Sequence, residues 1–90
     1  MQEGTAREEL EKGNKADILL KNPVFLEIFE GLENQFLDAW KNSSLKDAEE
    51  RERIYYLYQS LKALKSGIEN VSANGRMAKA QLDRLIGKTK

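Results

Sequence analysis

The chain of 90 residues contains no cysteine and no histidine. The first absence excludes a disulfide framework, a thiolate zinc site and a cysteine nucleophile. The second removes the side chain that most often serves as a general base or as a metal ligand. No catalytic, metal-binding or cofactor-binding motif is found in the sequence. We therefore expect a protein that is not an enzyme and has no cofactor, no metal and no small-molecule substrate.

Charge of one sign is also lacking, because fifteen basic residues balance fifteen acidic ones. A protein whose main task is to grip duplex DNA is usually net positive. The longest apolar run is far too short to span a membrane. Segment 1–12 is acidic and lacks the apolar core of a secretion signal. These features predict no membrane partner, no Sec-dependent export and an intracellular location.

What the sequence does contain is one long apolar seam. Its members follow alternating spacings of three and four residues without a slip: Ile54, Leu57, Leu61, Leu64, Ile68, Val71, Gly75, Ala78, Leu82 and Leu85. A seam that repeats every seven residues is typical of coiled-coil helices. It predicts a helix over 45–86, about 40 residues and roughly 60 Å long. The Asn-Gly pair at 74–75 is a turn signal, so the alternatives are a continuous helix, a kink and a break there.

Two shorter helices precede the long one. Residues 1–5 are predicted to be frayed, and a capping box that begins at Thr5 predicts a helix over 6–21. A partly disordered arm is the alternative, since the apolar content there is thin. The Asn-Pro pair at 22–23 predicts the N-cap and first residue of a helix over 23–42. Together these signals predict one all-α domain over residues 1–90: an antiparallel helical hairpin with a long, coiled-coil-like C-terminal helix and a shorter N-terminal helix.

The hairpin contains more apolar side-chain surface than two helices can bury against each other. Its predicted core contains Phe25, Phe29, Phe36, Trp40, Ile54, Leu57, Leu61 and Leu64. The apolar residues of the second helix cover about half of its circumference, which is wider than one partner helix needs. Tryptophan and tyrosine are suited to interfaces, although a core tryptophan and an ordinary amphipathic boundary are the alternatives. The surplus predicts a partner surface made of Leu26, Leu37, Trp40, Tyr55 and Tyr58.

Cations are concentrated at the C-terminal end. The four considered as nucleic-acid contacts are Arg76, Lys79, Arg84 and Lys88. Cations near a helix C-terminus also complement the helix dipole, which is the simpler interpretation. No aromatic residues are interleaved with them, so stacking on single strands is not supported. Binding of nucleic acid stays a hypothesis that the sequence does not favour.

Several short motifs resemble a family of small proteins encoded by tailed bacteriophages. They are Ile18-Leu19-Leu20-x-Asn22-Pro23, Phe29-x-x-Leu32-x-x-x-Phe36-x-x-x-Trp40, Glu50-Arg51-Glu52-Arg53 and Ala78-Lys79-Ala80-Gln81-Leu82. The resemblance covers about residues 18–85, and its motifs concern helix packing. It implies virion structure or assembly, and it transfers no biochemical role or functional residue.

The resemblance and the surplus apolar surface together give the functional expectation. We expect a non-enzymatic phage structural or assembly protein in the host cytoplasm or virion, as a homo-oligomer or docked on a larger phage protein. The alternative is a nucleic-acid-binding packaging or regulatory factor, similar to a small terminase subunit. A minor alternative is a secreted helical hairpin of the Trp-x-Gly type. This chain has Trp40-Lys41-Asn42 at that turn and lacks the C-terminal export signal of such hairpins.

Overall fold

The computed structural model describes residues 3–87, which form three helices: α1 (Glu3–Lys21), α2 (Pro23–Lys41) and α3 (Ala48–Gly87). No strand occurs among these residues. The prediction of an all-α chain with a long C-terminal helix and shorter helices before it is confirmed. α1 packs against α3, and α2 runs antiparallel to α3, with residues near Trp40 beside Ile54 and Phe29 beneath Lys65.

The helix ends differ from the predicted ones by a few residues. α1 already includes residues 3–5, which were predicted to be frayed, while residues 1–2 lie outside the described part. α3 begins at Ala48 instead of 45, because the Asp47 carboxylate accepts a hydrogen bond from the Glu50 backbone N–H (3.1 Å) and caps the helix there. α3 continues through Asn74 and Gly75 without a break. The packing of α3 at Gly75 therefore outweighs the tendency of the Asn-Gly pair to form a turn.

The Asn-Pro junction behaves as its sequence predicts. The Asn22 side-chain oxygen accepts hydrogen bonds from the backbone N–H groups of Val24 (2.9 Å) and Phe25 (3.1 Å). Pro23 occupies the first turn, where a missing N–H costs nothing. The junction ends α1 at Lys21 and starts α2 two residues later.

The described chain divides into two compact units. The α1 unit contains α1 and the C-terminal part of α3, from Gly67 onward. The α2 unit contains residues 22–66, which hold α2, the turn and the N-terminal part of α3. This division leaves the single domain over residues 1–90 a prediction.

The α1 unit is held by very close helix packing. A Cβ atom built on Gly13 would lie 2.6 Å from the Gly75 Cα, so the two backbones touch. Ala6, Ala78 and Leu82 are buried along the same contact, with Leu10 packed against them. Small residues at the crossing are what allow the helices to approach this closely.

The α2 unit buries few large side chains. Phe29 and Ile54 are 5% and 6% exposed, and the Phe25 and Phe29 rings lie 6.0 Å apart. The core prediction is wrong for Trp40, Leu57 and Leu64, which are 42%, 46% and 58% exposed. The physical reason for the two leucines is angular. Each lies three residues, or about 60° around the helix, from a seam residue that faces α2, and one partner helix does not reach that far.

Candidate interaction surface

The α2 unit carries an apolar groove that no residue of the unit fills. Its volume is about 220 Å³, and it is lined by Phe36, Leu37, Trp40, Ile54, Tyr55 and Tyr58. We call this feature the aromatic groove. The lining includes residues that remain well exposed, such as Trp40 and Tyr55. The groove is therefore open to solvent and presents aromatic and aliphatic surface to it.

Helical spacing explains why these side chains converge. Leu37 and Trp40 are three residues apart on α2, and Tyr55 and Tyr58 are three apart on α3, so each pair shares one helix face. Because the two helices are antiparallel, the faces flank the same groove. Ile54, which is buried, contributes to its wall from the helix interface.

Four of the five residues predicted for the partner surface line the aromatic groove. They are Leu37, Trp40, Tyr55 and Tyr58. The fifth, Leu26, is 40% exposed but does not line it. A partner surface requires side chains that are not all buried within one chain. Leu26, Leu37 and Tyr55 are all exposed.

Cations from α3 lie over the groove's aromatic rings. The Arg51 guanidinium carbon is 4.9 Å from the Trp40 ring centroid, and the Lys62 Nζ is 5.4 Å from the Tyr58 ring centroid. Cation–π contacts at exposed sites are worth about 0.5–1 kcal/mol. These contacts give the α3 side of the groove a positive edge.

A second group of exposed apolar residues was missed as a surface by the sequence analysis. Ile28, Leu57 and Leu64 are each about half exposed or more, and none lines the aromatic groove. Leu57 and Leu64 are seven residues apart on one edge of the seam. The seven-residue spacing predicts apolar side chains along both edges of the seam, but it does not predict which edge the neighbouring helix covers.

The α1 unit contains a polar cluster that includes Arg76, one of the residues considered as nucleic-acid contacts. Ser72 is 2% exposed, and its hydroxyl donates a hydrogen bond to the Asp17 carboxylate. The same hydroxyl accepts a hydrogen bond of 2.7 Å from the Arg76 guanidinium, which lies 3.6 Å from an Asp17 oxygen. Arg76 is thus engaged by two side chains, and its charge is opposed by a carboxylate. No sequence motif signalled the hydrogen bond between Asp17 and Ser72.

The remaining basic residues are not gathered into one patch. Lys79 lines a cleft of about 160 Å³ together with Arg76 and Asp17, whereas Arg84 does not line it. Lys88 lies outside the described residues. The carboxylate inside this cleft reduces its attraction for phosphate.

Among residues 3–87, no group of three or more acidic side chains is placed to hold a metal ion. None of the described helices combines the length and apolar character needed to cross a membrane. Comparison of the chain with protein-family models, with curated proteins and with solved structures finds no match in any of the three.

Proposed function

We propose that this chain is a non-enzymatic structural or assembly protein that acts by docking helices of another chain onto the aromatic groove. The observation that carries the proposal is the groove itself. It leaves Trp40, Leu37 and Tyr55 exposed beside a core that buries only two large side chains among the described residues of the α2 unit. The setting in tailed-phage virion assembly rests on the resemblance over residues 18–85.

The energetics favour docking over an empty groove. Fully burying a large apolar side chain returns about 1.5–3 kcal/mol. Leu26, Leu37, Trp40 and Tyr55 are 36–52% exposed, so covering each of them recovers on the order of 1 kcal/mol. Tryptophan and tyrosine are the residue types most enriched in binding hot spots. A helix seated on the groove would cover Leu37, Trp40 and Tyr55 at once.

Photo-crosslinking at Tyr55 tests the docking. A benzoylphenylalanine placed at Tyr55 should form a protein adduct when the chain is irradiated in the cells that naturally produce it. The matched control places the same probe at Leu45, which is exposed in the turn and outside the groove. Adducts at Tyr55 that exceed those at Leu45 are the expected result. Equal yields at the two positions would contradict the proposal.

The phage setting has a separate test. The chain should be found by mass spectrometry in virions, or in their assembly intermediates, purified after induction of the phage that carries its gene. Its absence from both fractions while it is abundant in the lysate would remove the phage setting. The docking proposal would stay open to the crosslinking test.

A further inference from the structure

Two ridges of opposite charge run along α2 and α3, and each has two apolar or aromatic members in the lining of the aromatic groove. The ridge on α2 consists of Leu26, Glu30, Glu33, Leu37 and Trp40. The ridge on α3 consists of Arg51, Tyr55, Tyr58, Lys62 and Lys65. Both follow spacings of four and three residues, the spacing of side chains that share one helix face. The charges of the first are all negative, and those of the second are all positive.

The charges on the two ridges lie at matching heights. Lys65 Nζ lies 5.2 Å from the Phe29 ring centroid, which fixes the register of the antiparallel helices. Glu33 is one helical turn further along α2, and Lys62 is about one turn back along α3. The two residues therefore stand level with each other, one helical turn beyond the groove residues Leu37 and Tyr58.

The carboxylates of the α2 ridge and the Lys62 ammonium group are not paired with opposite charges within residues 3–87. Among the described residues, neither Glu30 nor Glu33 forms an ion pair, and Lys62 contacts the Tyr58 ring instead of a carboxylate. Glu33 is half-buried, where an unpaired carboxylate is less well solvated than at a free surface. A partner that brings a cation to Glu33 and an anion to Lys62 would satisfy both.

We infer that the occupant of the aromatic groove is a second copy of this chain, with α2 of each copy lying on α3 of the other. This inference rests on the proposed function and names its partner. A two-fold axis parallel to the helices places Glu33 of each copy opposite Lys62 of the other. It also places Leu37 opposite Tyr55, and Trp40 opposite Arg51. The result is a four-helix arrangement with the groove at its centre.

Self-complementarity is what distinguishes a second copy from an unrelated helix. An interface between identical copies uses the same patch twice, so that patch must carry both members of every complementary pair. The two ridges do this together, because one carries the acidic residues and the other carries the basic residues of every opposed pair. The chain as a whole has a formal net charge of zero, so two copies do not repel each other at long range.

Charge reversal at one pair tests the arrangement. Glu33→Lys places two cations at each contact between positions 33 and 62, and Lys62→Glu places two anions there, so each variant should self-associate about tenfold more weakly than the wild type. An equimolar mixture of the two variants should form a heterodimer as tight as the wild-type dimer, because every opposed pair is again of opposite charge. Sedimentation velocity across a concentration series measures all three dissociation constants.

Controls separate this effect from misfolding and from general charge. Glu27→Lys makes the same change in net charge on α2 but lies off the ridge, so its dissociation constant should match that of the wild type. Circular dichroism should give the same helix content for every variant. If either single variant lost helix content, a chain carrying both reversals would decide the question. Its self-association should equal that of the wild type.

Two results would overturn the inference. One is a wild-type chain that stays monomeric to about 100 μM, where even an affinity of only −5 to −6 kcal/mol would be visible. The other is a mixture of the two variants that binds no more tightly than either alone. The Tyr55 crosslink then shows which proposal failed. An adduct with a different protein removes the second copy and keeps the docking function, and the absence of any adduct above the Leu45 control removes both.

Discussion

The α1 unit and the α2 unit pair their helices through side chains of different size. The α1 unit brings two backbones into contact at Gly13 and Gly75 and buries small side chains around them. The α2 unit pairs helices through large side chains, and it buries Phe29 and Ile54 while leaving other aromatic and aliphatic residues exposed. Both units use the same helix, α3, on one side of the contact.

The difference shows how side-chain size sets the closeness of a helix contact. Small residues give a narrow contact in which backbone meets backbone, and larger apolar side chains of the α1 unit, such as Ile18 and Met77, remain exposed. Large residues project beyond the line of contact, so two helices alone cannot cover them. The α2 unit therefore has surface available for a partner, and that surface contains most of the residues predicted for it.

The largest expected effect is a difference in the free energy of unfolding between substitutions at the buried edge and at the exposed edge of the seam within the α2 unit. Ile54→Ala should lower the free energy of unfolding by about 2–3 kcal/mol, because it removes a buried side chain. Leu64→Ala should lower it by less than about 1 kcal/mol, since Leu64 is mostly exposed. Urea denaturation at low micromolar concentration, followed by circular dichroism, measures both. Equal losses would mean that Leu64 is covered in solution.

An intermediate effect is expected from the same glycine substitution in the two units. Gly75→Ala should destabilise the α1 unit by about 1–3 kcal/mol, because the added Cβ would lie 2.6 Å from the Gly13 backbone. Gly31→Ala on α2 meets nothing within 4 Å and should stabilise by about 0.5–1 kcal/mol through helix propensity. Hydrogen exchange of α1 amides should rise in the first variant alone. A stabilising Gly75→Ala would show that the crossing is looser than described.

The smallest effect concerns the polar cluster of the α1 unit. Ser72→Ala removes a hydroxyl that bonds both Asp17 and Arg76, and it should cost about 1–2 kcal/mol. Ser66→Ala, at an exposed position of α3, is the matched control and should change stability by less than about 0.5 kcal/mol. Thermal unfolding of the two variants side by side makes the comparison. If Ser72→Ala left the thermal stability unchanged, Asp17 and Arg76 would pair equally well without the hydroxyl.

Local signals predicted the helices well, because each rests on interactions between near neighbours in the chain. Asn22 and Pro23 define the start of α2 through hydrogen bonds and backbone geometry that involve only the next few residues. The seven-residue seam predicted the long helix, and of the alternatives left open at Asn74 and Gly75 the structure has the unbroken helix. The residues predicted for a partner surface on α2 and α3 were chosen from the same periodicity.

The contacts between helices were harder to predict, because they depend on which face each neighbour occupies. The seam treated Ile54 and Leu57 as equivalent, yet one is buried and the other is exposed. The bond between Asp17 and Ser72 joins residues 55 positions apart. Nothing in either residue's local sequence signals it.

The sequence alone determined that this protein is helical, where its helices run and that it carries more apolar surface than a hairpin covers. These properties follow from spacing and capping, which act within a few turns of one helix. Only the tertiary structure decided that Gly13 meets Gly75, that Ser72 holds Arg76 to Asp17 and that the surplus forms a groove with a charged ridge on each side. Those properties depend on the rotation and register of one helix against another, which many residues set together.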